Sequence, residues 1–249
     1  MNLKVIFIII IFIASVTGCT SNMTREQVDL IRAGTIEQEK GAGFVPIEPI
    51  IAKSEVEVVR NAAIVKSDIR LLTNEEALNY FADTWSKVTI AKVNSNGSLQ
   101  YLAGTATAET GKYAAIMDFT KYAIDDIVEN GKIIGRFRTG VGLRLIANIT
   151  TKKKNLDLNG VLKIGVAASK EELTGSIEVR AIGVTSKEID ALLPGILPTI
   201  DESSIQNALE AMAAVKAKLR ESDTVIKPRH FAIEVYESVP ESEAKAVSL

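Results

Sequence analysis

Five residues within the stretch RFRTGVGLR, positions 136–144, have the types and spacing for anion recognition. Side chains alternate faces along a strand. Arg136, Arg138 and Arg144 therefore point one way, with Gly140 and Gly142 between them. The glycines leave a flat strip, and guanidinium groups offer forked donors suited to a carboxylate, a phosphate or a sugar acid. The same residues also read as scaffold: arginines paired across the sheet with acids such as Glu178 or Asp157, and glycines easing its curvature. The densest acidic group is Asp118, Asp125, Asp126 and Glu129. Paired carboxylates cleave glycosidic bonds at separations of roughly 5–9 Å. Adjacent Asp125 and Asp126, however, face opposite sides of a strand and diverge by about 100° on a helix. That favours loop or capping roles. The single histidine, His230, stands in KPRHFAIEV at the entry to a strand, and the chain has one cysteine. A Ser-His-Asp site would have to use His230. The counts exclude zinc frameworks and Cys–His nucleophilic pairs, and no metal or other cofactor is expected.

Cys19 is the one thiol, so the chain has no internal disulfide. Before it come Lys4, an apolar run from Val5 to Ile13, and small residues. That is the layout of a secretory signal peptide, and the run is short of the roughly 20 apolar residues of a spanning helix. Val16, Thr17, Gly18 and Cys19 resemble the bacterial lipobox. The resemblance covers the first twenty residues or so. It implies diacylglycerol on the Cys19 sulfur, cleavage before Cys19 and a lipid-anchored protein of the cell envelope. Two or three acyl chains anchor stably where one does so marginally. Thr20 rather than an aspartate after the cysteine implies the outer membrane, if the cell is Gram-negative.

Cleavage there removes Lys4 and no acid, which takes the formal net charge from −2 to −3. A chain of that balance offers no electrostatic case for nucleic acid. Residues 1–18 read as the signal peptide, 19–50 as a lipidated tether, 51–239 as one domain and 240–249 as a disordered tail.

Within the tether, the Thr24–Gln27 spacing predicts a short helix over 25–39, broken by GAGFVPIEPI. Apolar residues at 58, 59, 62, 65, 69 and 72 have helical spacing. Thr73 and Glu76 form a capping box for a helix through Trp85. From Val88 to Val184 alternation takes over, punctuated by Asn-Gly turns in NSNG and ENGK, a strong hairpin signal. Phe137, Val141, Leu143, Leu145, Ala147 and Ile149 share one face. Residues 156–168 and 174–184 are expected to pair, burying Leu162, Ile164, Ile177 and Val179. Residues 202–220 form a helix with an apolar stripe and dipole-matched charges, and HFAIEVYE adds a last strand. The expected fold is α+β: an antiparallel meander covered by helices, notably 202–220. Three functions remain open: a non-catalytic binding or assembly subunit for an envelope protein or anionic glycan, a carboxylate glycan hydrolase, and an oligomeric pore or secretion component. Charged residues on both rows of 113–128 weigh against a lipid-facing barrel.

Overall fold

The computed structural model describes residues 20–21, 37–38, 43–81, 83–95, 97–102, 107–129, 131–152, 156–158, 173–221 and 223–236. Nine strands of three or more residues, among those described, carry it: β1 Val45–Ile51, β2 Glu55–Arg60, β3 Ala63–Asp68, β4 Asp83–Val93, β5 Leu99–Tyr101, β6 Gly111–Glu129, β7 Lys132–Thr151, β8 Leu173–Ile182 and β9 Arg229–Val235. Three helices accompany them: α1 Asn74–Tyr80, α2 Lys187–Leu192 and α3 Glu202–Lys218. Strand predominates among the described residues, so the fold is mainly antiparallel sheet with few helices and richer in β structure than a layer evenly covered by helices. No helix among the described residues is long and apolar enough to cross a membrane.

The long β6–β7 hairpin is the spine. It turns at Gly131, whose φ of +76° suits a residue without a Cβ. The sheet order runs β5-β4-β6-β7-β9-β1. It curls until its flanks meet: the Tyr101 hydroxyl on β5 donates to the Pro46 carbonyl on β1 at 2.7 Å. Burial pushes the Tyr101 phenol up to about 12, so it remains a donor.

β7 changes partner along its outer edge. Residues 135–140 pair with β9 and residues 142–151 with β8. Gly140 and Gly142 mark the change. A Cβ at Gly140 would lie 2.0 Å from the Lys121 carbonyl oxygen, and one at Gly142 2.2 Å from that of Phe119. Only glycine lets β7 press so close on β6 as it bends.

The six alternating apolar residues from Phe137 to Ile149 are all buried. Five of them, Phe137 excepted, join one core with Ile205, Ala208, Met212 and Val215 of α3 and with Val56, Ile69 and Phe81. Alternation on the sheet and 3.6-residue spacing on α3 thus converge on the same layer. Asp201 caps α3 by accepting from the Ser204 N–H at 2.9 Å, and the Thr73–Glu76 capping box of α1 is formed.

Four expectations meet a different outcome. Residues 55–68 form the β2–β3 hairpin, not a helix. Asn61 and Ala62 both take positive φ (52° and 60°), the backbone of a tight hairpin turn, and Val56 and Val58 point inward between exposed Glu55 and Glu57. The valines satisfy both periods, and their β-branching decides for strand. The helix after Thr73 ends at Tyr80, and Trp85 belongs to β4. The tether assigned to 19–50 is strand in two places: residues 45–50 belong to β1 beside β9, and Glu37–Gln38, expected at the end of a helix, pair with β5. The pairing of 156–168 with 174–184 is not formed at Ile177, because Ala147 of β7 and Leu197 occupy its two edges. Leu156 and Asp157 pair instead with Ala108 and Thr107. Leu162 and Ile164 lie outside the described residues, as do Cys19, the 25–36 part of the tether helix and the 240–249 tail.

Candidate functional site

The hairpin register carries Arg136, Arg138 and Arg144 to one face of β7 with Gly140 and Gly142, opposite Asp126, Ile124, Asp118, Tyr122 and Thr120 of β6. Each arginine there has its own partners. Arg144 is almost fully buried and makes a two-pronged pair with Asp118, Nε to Oδ1 at 2.6 Å and Nη2 to Oδ2 at 2.8 Å. Its remaining donors reach the backbone carbonyls of Phe231, at 2.7 Å, and Ile47. Burial pushes the Asp118 carboxyl up, opposed by the Arg144 guanidinium. Arg138 is sandwiched between aromatic rings, its guanidinium carbon 4.2 Å from the Phe44 ring centre and 5.0 Å from that of Tyr122. Burial lowers its pKa. Arg136 bonds Asp126 at 2.8 Å near the surface. Glu178 pairs instead with Arg180 at 2.6 Å.

The acidic residues separate in the same register. Asp118 and Asp126 face the arginines. Asp125 lies on the opposite face, in a buried polar group with Thr139 and His230. The Thr139 hydroxyl donates to Asp125 Oδ2 at 2.5 Å and lies 2.6 Å from His230 Nδ1. Because that hydroxyl spends its proton on the carboxylate, it accepts from the imidazole, which places the histidine proton on Nδ1. His230 also stacks on Phe137 at 4.6 Å between ring centres. Burial pushes Asp125 up to about 6, with the Thr139 bond opposing, and pushes His230 down to about 4. Asp125 Oδ1 and the Ser54 hydroxyl are buried without a hydrogen bond of normal geometry.

A third acidic group, Glu188, Glu221 and Asp223, brings carboxylates within 4.8 Å of one another. The Lys218 ammonium bonds two of them, at 2.7 Å to Glu188 and 2.9 Å to Glu221. Those bonds raise the Lys218 pKa.

Among the described residues, a cleft of about 490 Å³ opens where β8 diverges from β1 and β9. Val179 to Thr185 form its floor, α2 and its C-cap contribute Asp190 and Leu193, and the far wall carries Glu48, Lys227 and Arg229. Arg144 reaches its inner end. Of the five residues expected to bind an anion, Arg144 alone lines this cleft. Arg180, Lys227 and Arg229 line it too, and sequence reasoning missed them. The signal was present in IKPRHF, where two cations flank a proline at a strand entry. No known family, curated protein or solved structure matches the chain.

Proposed function

We propose that this chain is a lipid-anchored, non-catalytic binding or assembly subunit of the bacterial envelope. It holds an anionic partner in the cleft between β8 and β9. The observation that carries the anchor is the V-T-G-C sequence at 16–19 directly after a short apolar run. Acylation of Cys19 would tie the chain to the outer membrane of a Gram-negative cell. Thr20 and Ser21, directly after Cys19, pair with Asp126 and Ile127 of β6, so such an anchor would hold that end of the sheet close to the lipid surface. The sheet, backed by α3, is a rigid platform for a recessed site. Lys227 and Arg229 around the cleft support an anionic partner, an envelope protein or an acidic glycan.

Metabolic labelling with an alkyne-tagged fatty acid tests the anchor. Wild type is expected to take up label and sediment with membranes, and Cys19→Ser to lose both. An unlabelled wild type, or a Cys19→Ser chain that remains on the membrane, overturns this reading.

A further inference from the structure

β8 has two edges. The inner edge pairs with β7 along residues 142–151. On the outer edge Ile177 exchanges both of its backbone bonds with Leu197, at 2.9 and 2.8 Å. Farther along, the Gly183 carbonyl accepts from the Lys227 N–H at 2.8 Å. Backbone groups in an antiparallel ladder alternate between the two edges with period two. Ile177 and Gly183 point outward, so Val179 and Ala181 between them do as well. Among the described residues, neither makes a backbone bond on that side. Both lie on the cleft floor. The Val179 side chain is buried in the core, which holds this edge in place.

Two ends of a strand are therefore present, and the middle is open. Val225 and Ile226 run antiparallel to Val184 and Thr185. Lys227 extends that line by one bond before Pro228 leads the chain into β9. Leu197 resumes it, antiparallel, at Ile177. We infer that the cleft binds an extended polypeptide segment, added antiparallel to β8 opposite Val179 and Ala181, and that it prefers an acidic side chain there. This rests on the binding-subunit reading and names the class of partner. Ile177 and Gly183 lie six residues apart, ~20 Å at ~3.4 Å per residue, which leaves room for about five residues between Leu197 and Lys227. Main-chain bonds to such an edge give affinity, and the flanking side chains give selectivity. The selectivity follows from charge. Asp118 already matches Arg144, and Glu178 and Glu48 match Arg180. Lys227 and Arg229 have no ion pair among the described residues, against Asp190 at the α2 end.

The test uses the full-length chain in detergent with three blocked hexapeptides: alternating valine and glutamate, the same peptide N-methylated on alternate amides, and alternating valine and lysine. The glutamate peptide is expected to bind saturably and to slow hydrogen exchange at the Val179 and Ala181 amides. N-methylation, which removes the main-chain donors, is expected to weaken it by about tenfold or more. Lys227→Glu with Arg229→Glu is expected to reverse the preference toward the lysine peptide, with a melting curve to confirm folding. Protection of both amides before any peptide is added would mean that this chain covers its own edge, and the proposal fails. It fails too if binding survives N-methylation, which leaves an anion site without strand addition, or if no peptide saturates at millimolar concentration. Loss of the anchor reading is seen separately, as an unlabelled Cys19, and leaves these amides untouched.

Discussion

Arg144–Asp118 and Arg136–Asp126 join the same two strands on the same face, eight residues apart along β7. Their bonds are nearly equal, 2.6 and 2.8 Å from Nε to Oδ1. Their surroundings are opposite. The side chains of the first pair are 4 % and 1 % exposed, those of the second 42 % and 26 %. The difference comes from bulges in the neighbouring strands. β9 carries an extra residue, Phe231, between the partners of Arg138 and Thr139. β1 shifts register opposite the same place. The bulges leave the carbonyls of Phe231 and Ile47 without ladder partners, and Arg144 supplies the donors. One guanidinium thus ties β1, β6 and β9 to β7 where β7 exchanges β9 for β8. Arg136 has no such duty: beyond Asp126 it lies over the Tyr236 ring at 5.7 Å.

The largest expected effect is therefore at Arg144. Removing one partner of a buried pair costs about 3–5 kcal/mol, because the other charge remains without compensation. Arg144→Ala and Asp118→Ala should each reach that range in denaturant unfolding. The double change Arg144→Met with Asp118→Leu removes both charges and should recover part of the loss. Recovery should be incomplete, because each orphaned carbonyl costs about 1–3 kcal/mol. Full recovery would mean that the bonds to Ile47 and Phe231 add nothing, and the latch reduces to a simple ion pair.

A second contrast sets this compensated ion pair against the buried polar group on the opposite face, Asp125–Thr139–His230, which holds no full cation. The two titratable groups there are shifted in opposite directions. Asp125 is raised from 3.8 to about 6, so its folded state gains stability as pH falls from about 6 toward 4. His230 is lowered from 6.5 to about 4, so its folded state loses stability over nearly the same interval. Each shift corresponds to roughly 3 kcal/mol, and together they nearly cancel. Asp125→Asn should unmask the histidine: relative to wild type, stability falls between pH 6.5 and 4. His230→Gln should unmask the acid and reverse the slope. Parallel pH profiles for the two variants would show that these groups do not carry opposed protons.

The roles of the arginines were only partly legible in the sequence, and the reason is one residue. Counted from the turn at Gly131, Lys132 faces Glu129 and Ile133 faces Val128. A plain hairpin would continue that count and put Asp125, not Asp126, opposite Arg136. A bulge between Ile133 and Gly135 shifts the register by one, and a one-residue shift exchanges the faces of a strand. The alternation in β7, the Thr73–Glu76 capping box and the α3 stripe were legible because each is local. The hairpin at 55–68 was not, since its valines fit two periods. The free edge of β8 was not, since it depends on where Leu197 and Lys227 return from far along the chain. Arg180, Lys227 and Arg229 meet only through that return.

Arg136 is where the comparison should yield the smallest effect. Exposed ion pairs contribute about 0–1 kcal/mol, since water screens the charges and two long side chains lose freedom. Arg136→Ala should therefore lower the melting temperature by no more than about 2–4 °C. Salt separates the two pairs further. At molar ionic strength the screening length falls to about 3 Å, so the cost of Arg136→Ala should shrink toward zero while that of Arg144→Ala persists, because bulk ions do not reach the buried pair. The cation–π contact with Tyr236 survives salt better than the ion pair does, and a residual cost in Arg136→Ala that vanishes in a Tyr236→Leu background would assign it to the ring. If Arg136→Ala proved as damaging as Arg144→Ala, or equally insensitive to salt, burial would not be what distinguishes the pairs, and the carbonyls offered by Ile47 and Phe231 would have to be given up as the reason for the difference.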